Sequence, residues 1–150
     1  MFSVDIQCTP VKAALLRRLN VAMIMQPQCT VIHDDTPLQE VIKKAADLEV
    51  ADFIVVDHDN NYVGLLTARD FREALLQPEA VPFLVAGELA RVKVPLVSPQ
   101  DTLDEVMDKF SRLEVNSLPV HSEYNDKEYI GMVTRAALMR RYQQELQAAV

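Results

Sequence analysis

The decapeptide DLEVADFIVV, residues 47–56, returns as RLEVNSLPVH at residues 112–121. A fixed internal period decides an architecture before any single element does. The same shift of 65 lays LQEVIKK (38–44) on LDEVMDK (103–109), and GLLTARDF (64–71) matches GMVTRAAL (131–138) at a shift of 67. The shift grows because DHDNNYV is two residues shorter than its counterpart SEYNDKEYI, a length change that belongs at a hairpin tip. One unit is therefore written twice, as residues 19–78 and 82–146, with 1–18 as an N-terminal linker and QPEAVP joining the copies.

Each copy begins with a short extended segment, CTVI or VPLVS, and then a helix start. In TPLQ, Thr36 can cap, Pro37 suits the first helical position and Gln39 can reach back; TLDE repeats the box with Thr102 and Glu105. The helices that follow carry apolar residues at three- and four-residue spacing, Leu38, Val41, Ile42, Ala45 and Leu48 in one copy and Leu103, Val106, Met107 and Phe110 in the other. A β-rich run, a polar turn and a second strand come next, DFIVVD then YVGLLT, and SLPVH then YIGMVT. A closing helix begins at Thr67, stopping before Pro78, and its partner begins near Thr134. The unit is strand, helix, strand, strand, helix, an α+β fold.

Composition narrows the function. At 150 residues and 49% apolar content the chain can bury a core without a metal or disulfide staple. A net charge of −7, with basic residues clustered only in LLRRL and MRRY, offers no surface for tracking nucleic acid. Cys8 and Cys29 have no metal-ligand spacing and fit a reducing compartment. The N-terminus MFSVDIQCTP lacks the regions of a signal peptide, and no apolar run approaches the roughly 18 residues of a membrane span. A cytoplasmic domain is expected. His33, His58 and His121 share no ligand spacing, and the Asp residues of DHD (57–59) are what a turn uses, so no metal is expected. No P-loop or Ser-His-Asp order is present, and no enzyme is expected.

The chemistry sits in GLLTARD. A hydroxyl at a helix start, beside unpaired backbone N–H groups and the positive end of the helix dipole, favours a phosphate, and a carboxylate one turn on can accept both hydroxyls of a ribose. Thr67 and Asp70 suit these roles, although the same spacing is that of a helix-capping pair.

Element order, duplication and the ending G-h-h-T-x-x-D, with h apolar, resemble a tandem pair of cystathionine β-synthase (CBS) domains, the Bateman module; VIHDDTPLQEVIKKAADLEVADFIVVDHDNNYVGLLTARDF follows that pattern almost without gaps. The resemblance implies two units packed about a pseudo-twofold axis and a regulatory role with AMP, ADP or ATP as ligand and no required cofactor. Carried over by position, it implies a nucleotide site of Leu65, Thr67, Arg69 and Asp70 with Val94, Pro95, Val115 and Asn116, Arg69 touching phosphate. A second site would use Cys29, Thr30, Val50 and Ala51 with Met132, Thr134, Arg135 and Ala136. There Ala137 replaces the carboxylate, so this site is expected to be weak, with Arg135 restoring some phosphate binding. The helices LQEVIKKAADLEV and TARDFREALLQ carry more apolar surface than one small core needs, so a homodimer is expected. VDIQCTPVKAALLRRLNVAMIM (4–25) resembles the stretch that joins bacterial chloride-channel-type transporters to a cytoplasmic CBS pair, which implies a fused membrane transporter. The alternative function is a dimerisation or assembly module with vestigial clefts.

Overall fold

The computed structural model describes residues 10–49 and 52–148, which fall into two compact units, one of residues 29–95 and one of residues 10–28 with 96–148. In the first, β1 (Val31–His33) runs parallel to β2 (Phe53–Val56), and β2 pairs antiparallel with β3 (Tyr62–Leu66). Parallel pairing needs a crossover, supplied by α2 (Leu38–Leu48), which ends where Glu49 adopts a left-handed φ of 54°. The β2–β3 turn is held by the Asp57 carboxylate, which accepts the N–H groups of Asp59 and Asn61 at 2.9 Å each. Ile32, Leu38, Val41, Phe53, Val55, Leu66 and Phe71 form its core. Phe71, on α3 (Ala68–Leu75), meets Phe53 edge to face at 5.6 Å, the arrangement that aromatic quadrupoles favour.

The other unit repeats this plan with one strand cut short. Strands β4 (Ser117–His121) and β5 (Tyr129–Thr134) form an antiparallel pair, but the counterpart of β1 is a single parallel bridge between Val97 and Val120. Two prolines explain the loss. In the intact sheet Ile54 donates its N–H to the Thr30 carbonyl and Asp34 donates to Val56, each at 2.8 Å. The residues at the repeat positions of Ile54 and Asp34 are Pro119 and Pro99, which have no N–H to give. Helix α5 (Leu103–Arg112) buries Leu103, Val106, Met107 and Phe110, and α6 (Arg135–Ala148) buries Leu138. Residues 10–18 are more than a linker: α1 (Pro10–Leu16) lies against α5 and α6, with Leu16 fully buried.

The boundary of packing therefore differs from the boundary of repetition. Residues 19–28 and 84–93 are equivalent under the shift of 65, and each packs in the unit whose hairpin comes from the other copy. The bonds correspond one for one. Gln26 and Met132 exchange backbone hydrogen bonds at 2.8 and 3.0 Å, and Arg91 and Leu65 do so at 2.8 and 3.2 Å. Val21 donates to Asp101 at 3.0 Å as Ala86, in α4 (Ala86–Leu89), donates to Thr36 at 2.9 Å.

The same exchange replaces the capping boxes anticipated at Thr36 and Thr102. Helix α2 has Pro37 at its N-cap with no side-chain cap, and the Leu38 N–H donates to the Leu84 carbonyl at 2.9 Å. Its counterpart Leu103 donates to Leu19 at 3.0 Å, while the Thr102 hydroxyl turns to the Asp104 carboxylate. A backbone carbonyl from a distant segment satisfies each helix's first donor, so neither threonine hydroxyl is required there.

Helix α5 is closed at its other end by Arg135. Its Nη2 donates to the carbonyls of Phe110 at 3.0 Å, Leu113 at 3.1 Å and Val115 at 2.8 Å, and the guanidinium lies over the Phe110 ring at 5.3 Å. A cation there answers both the orphan carbonyls and the negative end of the helix dipole.

Two stability changes are expected. A Cβ on Gly131 would drive into the Gln26 carbonyl, so Gly131→Ala should cost about 1–3 kcal/mol through forced backbone displacement, read as a lower denaturant midpoint; an unchanged midpoint would refute the close approach. Arg135→Ala should remove about 2 kcal/mol by stripping charge-assisted bonds from the α5 carbonyls, and a loss below about 0.5 kcal/mol, the range of an ordinary surface substitution, would show that Arg135 does not secure this helix end.

Candidate functional site

The GLLTARD segment leaves β3 and enters α3, and Thr67 is the N-cap of that helix. Its N–H and its hydroxyl both donate to Asp70 Oδ2, at 3.0 and 2.9 Å, and the Asp70 N–H reaches Thr67 Oγ1 at 3.4 Å. The capping pair is real. Asp70 is nevertheless 8% exposed, and a buried carboxylate needs partners for all its oxygen lone pairs. Arg91 supplies the remainder: Nε lies 3.2 Å from Oδ1 and 3.3 Å from Oδ2, and Nη2 lies 3.2 Å from Oδ1. The guanidinium straddles the carboxylate through Nε, which reaches both oxygens, with Nη2 beside Oδ1.

Other residues of the anticipated site divide between the units. Leu65, Thr67, Arg69, Asp70, Val94 and Pro95 belong to residues 29–95, Val115 and Asn116 to the other unit. Leu65 is fully buried in β3, with its backbone bonded to Arg91. Val94 is buried, and its carbonyl accepts the Tyr62 hydroxyl at 2.7 Å. Arg69, the candidate phosphate contact, is exposed and lies 3.5 Å from Glu73 across one helical turn. A hollow of about 230 Å³ opens beside Asp70, walled by Glu73, Ala74, Gln77, Leu84 and Leu89 among others. Arg91 went unnoticed in the sequence, though a signal was there: its repeat partner is Gln26, just as the repeat partner of Asp70 is Ala137.

In the second set, Thr134 still caps, accepting the Ala137 N–H at 3.0 Å, but no carboxylate stands behind it. Arg135, anticipated as a phosphate contact, is committed to the α5 carbonyls, and its own N–H donates to the Asn116 carbonyl at 2.8 Å. Met132 is buried and bonded to Gln26 through its backbone. Thr30 offers its carbonyl to Ile54. Cys29 is half-buried, and burial pushes its thiol above the usual range. Val50 and Ala51 lie outside the described residues.

His58, at the β2–β3 turn, does not join a DHD cluster. It turns to Asp35, with Nε2 at 2.8 Å from Oδ2, and stacks on His33 at 5.2 Å. The Asp35 hydrogen bond, helped by its charge, raises the His58 pKa above the ordinary 6.5. Asp34, Asp35 and His58 form the group that could hold a metal ion among the described residues, their ligand atoms within 4.8 Å of one another. Asp35 and His58 are both exposed, and the ion pair accounts for their approach. No helix among the described residues is long and apolar enough to cross a membrane.

The family model for the CBS domain matches residues 21–77 and again 86–144. No curated protein has a matching sequence. Among solved structures, Hypoxic Response Protein I with two coordinated zinc ions superposes with a TM-score of 0.67 at 24% identity, over 81% of this chain and 98% of that one. CBSX2 from Arabidopsis thaliana gives 0.68 at 20% identity, over 86% and 97% of the two chains, and has also been solved in complex with AMP. The CBS domain pair of MJ0100, in complex with 5-methylthioadenosine and S-adenosyl-L-methionine, gives 0.69 at 21% identity, over 84% and 97%. These identities speak to the fold, and the two family matches cover most of the sequence. The chain belongs to the CBS domain family and carries that domain as a tandem pair.

Proposed function

We propose that this chain is a non-enzymatic regulatory module that binds an adenine nucleotide, AMP, ADP or ATP, at the start of α3 and governs a fused or associated protein. The observation that carries this reading is Asp70: a carboxylate behind a Thr67 N-cap, where the helix dipole favours phosphate and the carboxylate suits a ribose. CBSX2 with AMP and MJ0100 with methylthioadenosine and S-adenosylmethionine support the ligand class. The second copy has Ala137 in place of the carboxylate, which favours one good site over two. An ion transporter is one such partner, on the likeness of residues 4–25 to a transporter linker.

A titration of the whole chain with AMP, ADP, ATP and S-adenosylmethionine tests this. Calorimetry should find about one nucleotide per chain, and ligand at about 100 times its dissociation constant should add about 2.7 kcal/mol of stability, raising Tm by about 2–4 °C per kcal/mol. Asp70→Asn should abolish the effect. Two equally tight sites, or none with any adenine ligand, would sink the reading.

Assembly is a second role, favoured by exposed apolar side chains on the 29–95 unit: Leu76 is 81% exposed and Phe83 is 83%. A homodimer would cover them. Light scattering at micromolar concentration should return twice the monomer mass; a monomer mass with and without nucleotide rules the dimer out.

A further inference from the structure

Asp70 has no room for a ribose as it stands. An ionised carboxylate offers about four lone-pair positions, and here two donors come from Thr67 and the rest from the Arg91 fork. The Thr67 donors are part of the helix cap and remain with the fold. The Arg91 donors arrive from residue 91, whose backbone is bonded independently to Leu65, so the side chain is able to swing while its Cα stays in place. The Arg91 side chain is 27% exposed, whereas that of Asp70 is 10% exposed, and the outward route belongs to the arginine.

We infer that Arg91 is a resident plug on the ligand-recognising carboxylate, so that an incoming nucleoside diol binds Asp70 only by displacing the guanidinium. The inference rests on the nucleotide reading above. The replacement is even in number: two ribose O–H donors take the places of the Nε–H, which reaches both oxygens, and of Nη2 beside Oδ1. It is uneven in strength, because a neutral hydroxyl exchanges for a cation. The empty site thus avoids a buried unpaired carboxylate, and the ligand binds more weakly than Asp70 alone would allow. The other copy argues the same way: where Asp70 is replaced by Ala137, Arg91 is replaced by Gln26, so carboxylate and plug are present together and absent together.

Arg91→Gln, which installs the residue that position 26 already tolerates beside the same backbone bridge, is the informative variant. Calorimetry on the whole chain should find AMP binding about tenfold tighter than in the natural protein, the yield of removing roughly one charge-assisted bond's worth of competition. Arg91→Lys, with the charge but not the fork, should fall between. Natural protein that binds AMP while Arg91→Gln binds equally or less well overturns the plug and leaves the nucleotide reading standing. Failure of both chains to bind any adenine ligand overturns the nucleotide reading and the plug with it. The unaltered chain supplies a readout that does not depend on a variant's stability: the Arg91 Nε–H resonance should move when AMP saturates the site, and a resonance unmoved at saturation overturns the plug.

Discussion

A missing side chain in the last strand of each unit sets the terms for the rest. Gly64 and Gly131 let a second stretch of backbone lie directly against the hairpin; a Cβ on Gly64 would meet the Arg91 carbonyl at 2.6 Å, and one on Gly131 would strike Gln26. Through that opening residues 26 and 91 pair with residues 132 and 65. The pairing decides more than two hydrogen bonds each, since it fixes which copy's leading segment packs on which hairpin. It also delivers Leu19 and Leu84 to the first donors of α5 and α2. A helix whose first N–H is met by a tertiary contact has its start fixed by the fold rather than by its own cap.

That dependence explains what could be read from the sequence. The duplication, the order of elements, the hairpins and the buried stripes of α2 and α5 were legible because each is local and periodic, except that Leu48, at the end of α2, is exposed. The exchange was not, because it pairs residues across 26 to 106 positions of sequence through backbone atoms, and backbone atoms leave no residue-type signature. The capping boxes at Thr36 and Thr102 failed for the same reason: the pattern is a local preference, and Leu84 and Leu19 satisfied the donors first. At Thr67 no such carbonyl intervenes in the capping pattern, and the box formed as its spacing suggests.

The candidate site divides along the same line. Thr67 and Asp70 were legible as a local motif. Arg91 is 21 residues away and reaches Asp70 only because Leu65 holds its backbone. The repeat did carry the information, though only as a double difference: Asp70 and Arg91 in one unit stand where Ala137 and Gln26 stand in the other. A single difference reads as a lost site. A matched pair of differences reads as a salt bridge, since either member alone would leave a partly buried charge without its counterion.

The two copies have consequently taken different physical roles within one plan. The 29–95 unit keeps a full three-stranded sheet behind a helix start whose carboxylate is held by the Arg91 side chain. In the other unit Pro99 and Pro119 strip the sheet to two strands and a bridge, and the arginine that follows Thr134 turns inward to three carbonyls at the end of α5. Those carbonyls come from the final turn of α5 and the loop beyond it, so removing Arg135 would unfasten a helix end, whereas removing Arg91 uncovers a carboxylate. One arginine is bound into structure; on the proposed reading the other guards an acceptor, which places ligand-dependent change in the copy that retains Asp70.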